Sequence, residues 1–160
     1  VPDLIMAGGF ISETQIFKSI AMSNFGEGPF VKAVLLGRSP LTAVMKANYF
    51  NQLSQEGKLP KAFADRYGST PDKFFIMAPE LKTEYGERSK QIPWEAVALH
   101  TYLTDKIGVG LKQLMAGNRK WKLELLNRND LMSLNKFAAD VTGIPLPHEA
   151  EKDAVERILD

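Results

Sequence analysis

LIMAGGFISETQIF, residues 4 to 17, carries three signals in order. Leu4 to Ala7 is a short apolar run without alternation, the pattern of a strand covered on both faces in a parallel sheet. Gly8 and Gly9 then mark a tight turn. Ser12 to Gln15 spells S-x-x-Q, a capping box, and Ile16, Phe17, Ile20 and Ala21 fall on one helical face. The stretch therefore predicts strand, glycine turn, helix.

The same grammar returns after the link NFGEGP. Phe30 to Leu36, FVKAVLL, reads as a second buried strand, and Gly37 and Arg38 as its turn. Ser39 is placed to cap a helix, Pro40 suits a first helical position, and Leu41, Val44, Met45 and Tyr49 follow on one face. Residues 1–56 thus read as βαβα. Beyond Gly57 the composition shifts to Gly, Pro, Lys and Asp with short amphipathic pieces, KAFADRY and PDKFFIM among them, which predicts several short helices joined by turns. A longer helix is expected from Pro93 to Gly117, weakened or bent at Gly108 and Gly110. Asn129 is placed to cap another, with Leu131, Leu134, Phe137 and Ala138 inward and Gly143 as its stop. Residues 57–160 form a helical extension on this reading, closed by the polar helix HEAEKDAVERILD.

Composition excludes several classes of function. The 160 residues hold 44% hydrophobic side chains, enough for a real core, and 20 Lys and Arg against 19 Asp and Glu give a net charge of +1. That balance offers no general attraction to nucleic acid or to an anionic membrane, so any anion site must be local. With no Cys there are no disulfides, thiolate metal sites, iron–sulfur clusters or cysteine nucleophiles, and two histidines, His100 and His148, supply a metal poorly. No metal site is expected. No apolar run reaches the length of a membrane span, and the first residues do not have the plan of a signal peptide, which predicts a soluble, cytoplasmic chain. Val1 is not an initiator Met and a strand begins almost at once, so the chain is expected to be a piece of a longer one.

What two glycine turns are for follows from backbone chemistry. A helix N-terminus offers N–H groups outside the helical ladder and the positive end of the helix dipole, and glycines before it let an anion come close to the backbone. A single Gly-Gly reads equally as a plain βα connection. Two capped turns on neighbouring parallel strands read as a grip on one phosphate, the arrangement found after strands seven and eight of many (β/α)₈ barrels.

IMAGGFISETQIFKSIAMSNFGEGPFVKAVLLGRSPLTA, residues 5 to 43, resembles the last two βα units of FMN-dependent TIM-barrel oxidoreductases, in which a strand ending in Gly-Gly precedes one ending in Leu-Gly-Arg or Leu-Gly-Thr. The helical stretches VALHTYLTDKIGVGLKQLMAG and NRNDLMSLNKFAADVTGI are similar in character to those after the barrel in the glutamate synthase-related family. The fold this resemblance implies is α/β: the last two βα units of a (β/α)₈ barrel followed by a mainly helical C-terminal extension. It implies that Gly8, Gly9 and Phe10 present backbone groups to the phosphate of FMN and that Gly37 and Arg38 close on it from the next loop, Arg38 adding a bidentate contact. The chain departs from glutamate synthases in having no iron–sulfur cysteines. Residues for the flavin ring, the substrate and hydride transfer would lie on six earlier strands. The chain alone is therefore not expected to turn over a substrate or to hold FMN tightly. Leu4, Ile5, Val31, Val34, Leu35 and Leu36 need cover, expected from the remainder of the barrel or from another copy of the chain.

The other eye-catching residues read as structure. His100 sits in a helix without a second ligand at metal spacing. Arg119, Lys120, Lys122 and Arg128 around Trp121 read as a solvated face over an apolar seam, and Glu80, Glu84 and Glu87 as a solvated acidic stripe. The alternative to a flavin oxidoreductase is a non-catalytic helical interaction module with a remnant βα unit.

Overall fold

The computed structural model describes residues 2–159, with the side chains of Asp153 and Ala154 excepted. The chain opens with β1 (Leu4–Ala7), α1 (Glu13–Met22), β2 (Val31–Leu35) and α2 (Arg38–Gln55). Short helices follow: α3 (Lys61–Tyr67), α4 (Pro71–Phe74), α5 (Ala78–Tyr85) and a 3₁₀ segment, Gly86–Gln91. Next come α6 (Trp94–His100), a π-helical stretch (Thr101–Val109) and α7 (Gly110–Gly117). The last part holds two 3₁₀ turns, α8 (Lys136–Thr142), α9 (Pro147–Ala150) and α10 (Lys152–Leu159). Among the described residues no helix is long and apolar enough to cross a membrane.

This architecture overturns the expectation of an α/β fold made of two terminal barrel units and a tail. Helices take 64% of the chain, and the sheet has two parallel strands, β1 and β2. Every residue of β1 is exposed, and in β2 only Val31 is buried. An apolar run identifies a strand without saying how many neighbours it has or what covers it, and here the run was read as buried on both faces. The helical character of residues 60–93 has a local cause in where the prolines stand. Pro60 and Pro93 are N-caps, and Pro71 and Pro79 occupy the first two positions of their helices, where the missing N–H costs nothing.

Contacts divide the chain into two compact units that each draw on several segments: Val1–Met6, Thr14–Val34 and Leu111–Asp160 in the first, Ala7–Glu13 and Leu35–Gly110 in the second. In the first unit the core is Ile16, Phe17, Ile20, Ala21, Val31, Met115, Leu126 and Ile144. The stripe expected on α1 is thus buried as read. Asn24, itself buried, organises the link to β2: its Nδ2 donates to the carbonyl of Leu126 at 2.7 Å, and its Oδ1 accepts from the N–H groups of Gly26 and Gly28 at 2.9 and 3.1 Å. Lys120 and Asp130 form a largely buried ion pair at 2.6 Å, and the same carboxylate oxygen accepts from the N–H of Asn127 at 2.8 Å. Trp121 points to solvent beside them, 76% exposed.

Asn129 caps no helix. The cap of α8 is Asn135, whose Oδ1 accepts from the N–H of Ala138 at 2.8 Å, and Gly143 ends the helix in the left-handed conformation as expected. Leu134 and Phe137, read as inward, are 92% and 79% exposed: Leu134 lies before the helix, and on α8 itself the more covered side carries Ala138 and Ala139.

The second unit is organised by α2 against α6. Its buried residues are Phe10, Ala47, Val97 and Ile107. A run of rings joins the short helices: Phe50 stacks on Phe63 at 4.8 Å, Phe63 meets Phe74 edge-on at 5.5 Å, and Phe75 lies parallel to Trp94 at 5.1 Å. The face of α2 formed by Leu41, Met45 and Tyr49 is exposed.

Leu126 is fully buried, so Leu126→Ala is expected to cost about 2–5 kcal/mol in urea unfolding. Asn24→Ala leaves a buried carbonyl and two N–H groups to find other partners, with an expected loss of about 1–3 kcal/mol in the same measurement.

Candidate functional site

Parallel strands carry their following turns to the same end of the sheet, which puts the residues after Ala7 and those after Leu35 side by side. Gly8 and Gly9 continue β1 with φ of 94° and 73°, values open to glycine and strained for other residues. Phe10 buries its ring, 8% exposed, and so pins the far side of the turn. Gly37 is the N-cap of α2, and Arg38 is its first residue.

A direct bond joins the two turns. Ser39 Oγ donates to the carbonyl of Phe10 at 3.1 Å. The sequence suggested Ser39 as a helix cap; instead α2 begins with no side-chain cap and with no acidic residue in its first turn. Its N-terminal backbone donors and the positive end of an 18-residue helix dipole are therefore left for something else. Arg38 is exposed beside them and has no salt-bridge partner among the described residues. Gly8, Gly9, Phe10, Gly37 and Arg38 all belong to the second unit.

Gly37 differs from the other two glycines in its reason for being there. Its φ is −96°, outside the left-handed region that favours glycine, and a Cβ added to it would meet no protein atom within 4 Å. Packing does not exclude a side chain at this position. The space in front of the α2 N-terminus is open.

Two hydroxyls hold the first turn. Besides Ser39, Tyr102 reaches it from the π-helical stretch and donates to the carbonyl of Ile11 at 3.0 Å. Neither residue stood out in the sequence as part of a site, since a lone Ser or Tyr carries no spacing signal.

Other candidates do not compete. A groove of about 560 Å³ in the first unit runs past Asn24, Asn127 and Arg128. The three named side chains are engaged within the chain: Asn24 and Asn127 bond to backbone, Arg128 donates to the carbonyls of Met22 and Thr142, and its guanidinium lies over the ring of Phe25 at 4.9 Å. Two exposed side chains are shifted from their ordinary ionisation: Glu56, held low by Lys58 and Gln52, and Tyr85, held high by Glu84. Glu56 follows the last turn of α2, the opposite end from Arg38. His100 is exposed, with the Thr104 hydroxyl 3.4 Å from Nδ1, and among the described residues no three His, Asp or Glu side chains are grouped to hold a metal.

No family model matches the chain, and neither a curated protein nor a solved structure does.

The backbone at Gly9 predicts a strain test. Gly9→Ala forces a left-handed alanine and is expected to lower stability by about 1–2 kcal/mol, whereas Gly37→Ala should leave the melting temperature nearly unchanged. Equal losses at both positions would contradict the distinction drawn between them.

Proposed function

We propose that the paired turns Gly8–Phe10 and Gly37–Arg38 bind the phosphate of FMN, and that the chain is the C-terminal portion of an FMN-dependent, glutamate synthase-related oxidoreductase. One observation carries the phosphate reading: Gly37 stands before an uncapped helix with open space where its Cβ would be, and Ser39 ties that helix to the first turn. A dianionic phosphate placed there takes backbone N–H donors, the helix dipole and the Arg38 guanidinium together. The choice of FMN among phosphate esters rests on the resemblance of residues 5–43 and not on the barrel expected from it, which the helical architecture overturned.

Within this reading the chain's own residues bind and orient. The flavin, when bound, supplies the redox chemistry, and the turns fix one end of it. Substrate-binding and proton-transferring residues belong to other parts of the protein. The exposed strand residues and the exposed stripe Leu41, Met45 and Tyr49 support a covering partner, the rest of a longer polypeptide or a second copy. The setting we assign is cytoplasmic. Those same exposed faces favour the second reading, a non-catalytic interaction module, if no phosphate binds.

FMN titration of the full-length protein, followed by flavin fluorescence, distinguishes the two. Arg38→Gln is expected to weaken binding by about ten- to a hundredfold, as loss of a charge-assisted contact of ~1.5–3 kcal/mol requires. Gly37→Val should abolish binding with the fold intact, and inorganic phosphate should compete in the unaltered protein. Unchanged affinity in both variants would remove the turns from the site.

A further inference from the structure

We propose that the π-helical stretch Thr101–Val109 is a positioning device for the first glycine turn, gripping the segment between that turn and α1 at both ends through Tyr102 and Gly110. The inference deepens the phosphate reading and rests on it for its functional part.

π-Helices are rare, mostly occur as single-turn bulges, and are frequent at functional sites. A nine-residue stretch, flanked by α-helix on both sides, asks what holds it in this form. The contacts at its two ends answer. At one end, the Tyr102 hydroxyl donates to the carbonyl of Ile11 at 3.0 Å. At the other, Gly110 abuts Glu13: a Cβ built on Gly110 would fall 2.7 Å from Cγ and 3.1 Å from Cδ of Glu13, a distance no side chain can occupy without displacing it. The bare backbone at Gly110 is therefore a seat for the Glu13 side chain. The fit is close enough that Glu13 Oε2 is buried and makes no hydrogen bond.

The segment Phe10–Glu13 is thereby held at three successive places. Ser39 takes the Phe10 carbonyl, Tyr102 takes the Ile11 carbonyl, and Gly110 receives Glu13. Because a trans peptide points its N–H opposite to its C=O, fixing the carbonyls of Phe10 and Ile11 also fixes the planes, and so the N–H directions, of the peptides that follow them. Those N–H groups belong to Ile11 and Ser12, immediately after the proposed phosphate turn, so the bonds fix how the chain leaves that turn and thereby hold its C-terminal end in place. Tyr102 is a positioning residue in this arrangement: it touches the turn, and the turn touches the phosphate.

The test pairs two readouts on the full-length protein, hydrogen exchange of the amides of residues 8–13 and FMN titration, with Tyr102→Phe and Gly110→Ala as variants. Tyr102→Phe removes only a hydroxyl. It is expected to speed exchange in residues 8–13 by about tenfold, leaving α3 to α5 unchanged, and to weaken FMN binding by about fivefold. Gly110→Ala should accelerate the same amides, most of all at Glu13. Unchanged exchange at residues 8–13 in both variants overturns the grip. Faster exchange with unaltered FMN affinity overturns its role in positioning. If the unaltered protein binds no FMN while exchange still rises in the variants, the grip stands and the phosphate reading is what fails.

Discussion

Two parallel strands joined side by side can only end at the same edge, and that constraint brings the glycine turns of this chain together. β1 and β2 are short and largely exposed, so burial of their own side chains contributes little to holding them. What keeps the turns in register lies beyond the strands: a hydroxyl from the first turn of α2 on the Phe10 carbonyl, a hydroxyl from the π-helical stretch on the Ile11 carbonyl, and the buried ring of Phe10. Each bond is worth about 1 kcal/mol in isolation. Their effect is one of direction, because they set the orientation of successive peptide planes in a segment with two left-handed glycines at its start.

The open position at Gly37 is the observation that supports the proposed anion reading. Glycines required by a positive φ, such as Gly8 and Gly9, are explained by the turn itself. Gly37 is not, and the helix it precedes has no side chain over its N-terminus. Space, helix dipole and the Arg38 cation coincide at this helix end, and that coincidence is what supports the proposed anion site.

The sequence carried the local elements better than the architecture. The strand Leu4–Ala7, the α1 stripe and the left-handed stop at Gly143 were legible because each rests on a short-range signal: an apolar run, a helical period, a glycine after the last periodic residue. The short helices of residues 61–85 were expected, but the fold class was not legible, because two apolar runs read as strands buried on both faces of a larger sheet stand largely exposed in a two-stranded one. The cap at Asn135 was misplaced to Asn129, one asparagine looking much like another before an apolar stretch. Gly8, Gly9, Gly37 and Arg38 of the proposed site were chosen from turn chemistry, and the structure places their turns at the same end of the sheet. Ser39 and Tyr102 could not be chosen that way, since their roles depend on carbonyls 29 and 91 residues away.

The central claim is that the two turns act as one anion site. Amide NMR of the isotopically labelled protein during titration with inorganic phosphate tests it without a mutation or a flavin. The account predicts that the resonances of Gly8, Gly9, Gly37 and Arg38 shift together along a single binding curve, with little movement in α3 to α5. Shifts confined to one turn, or two turns that titrate with different affinities, would contradict it.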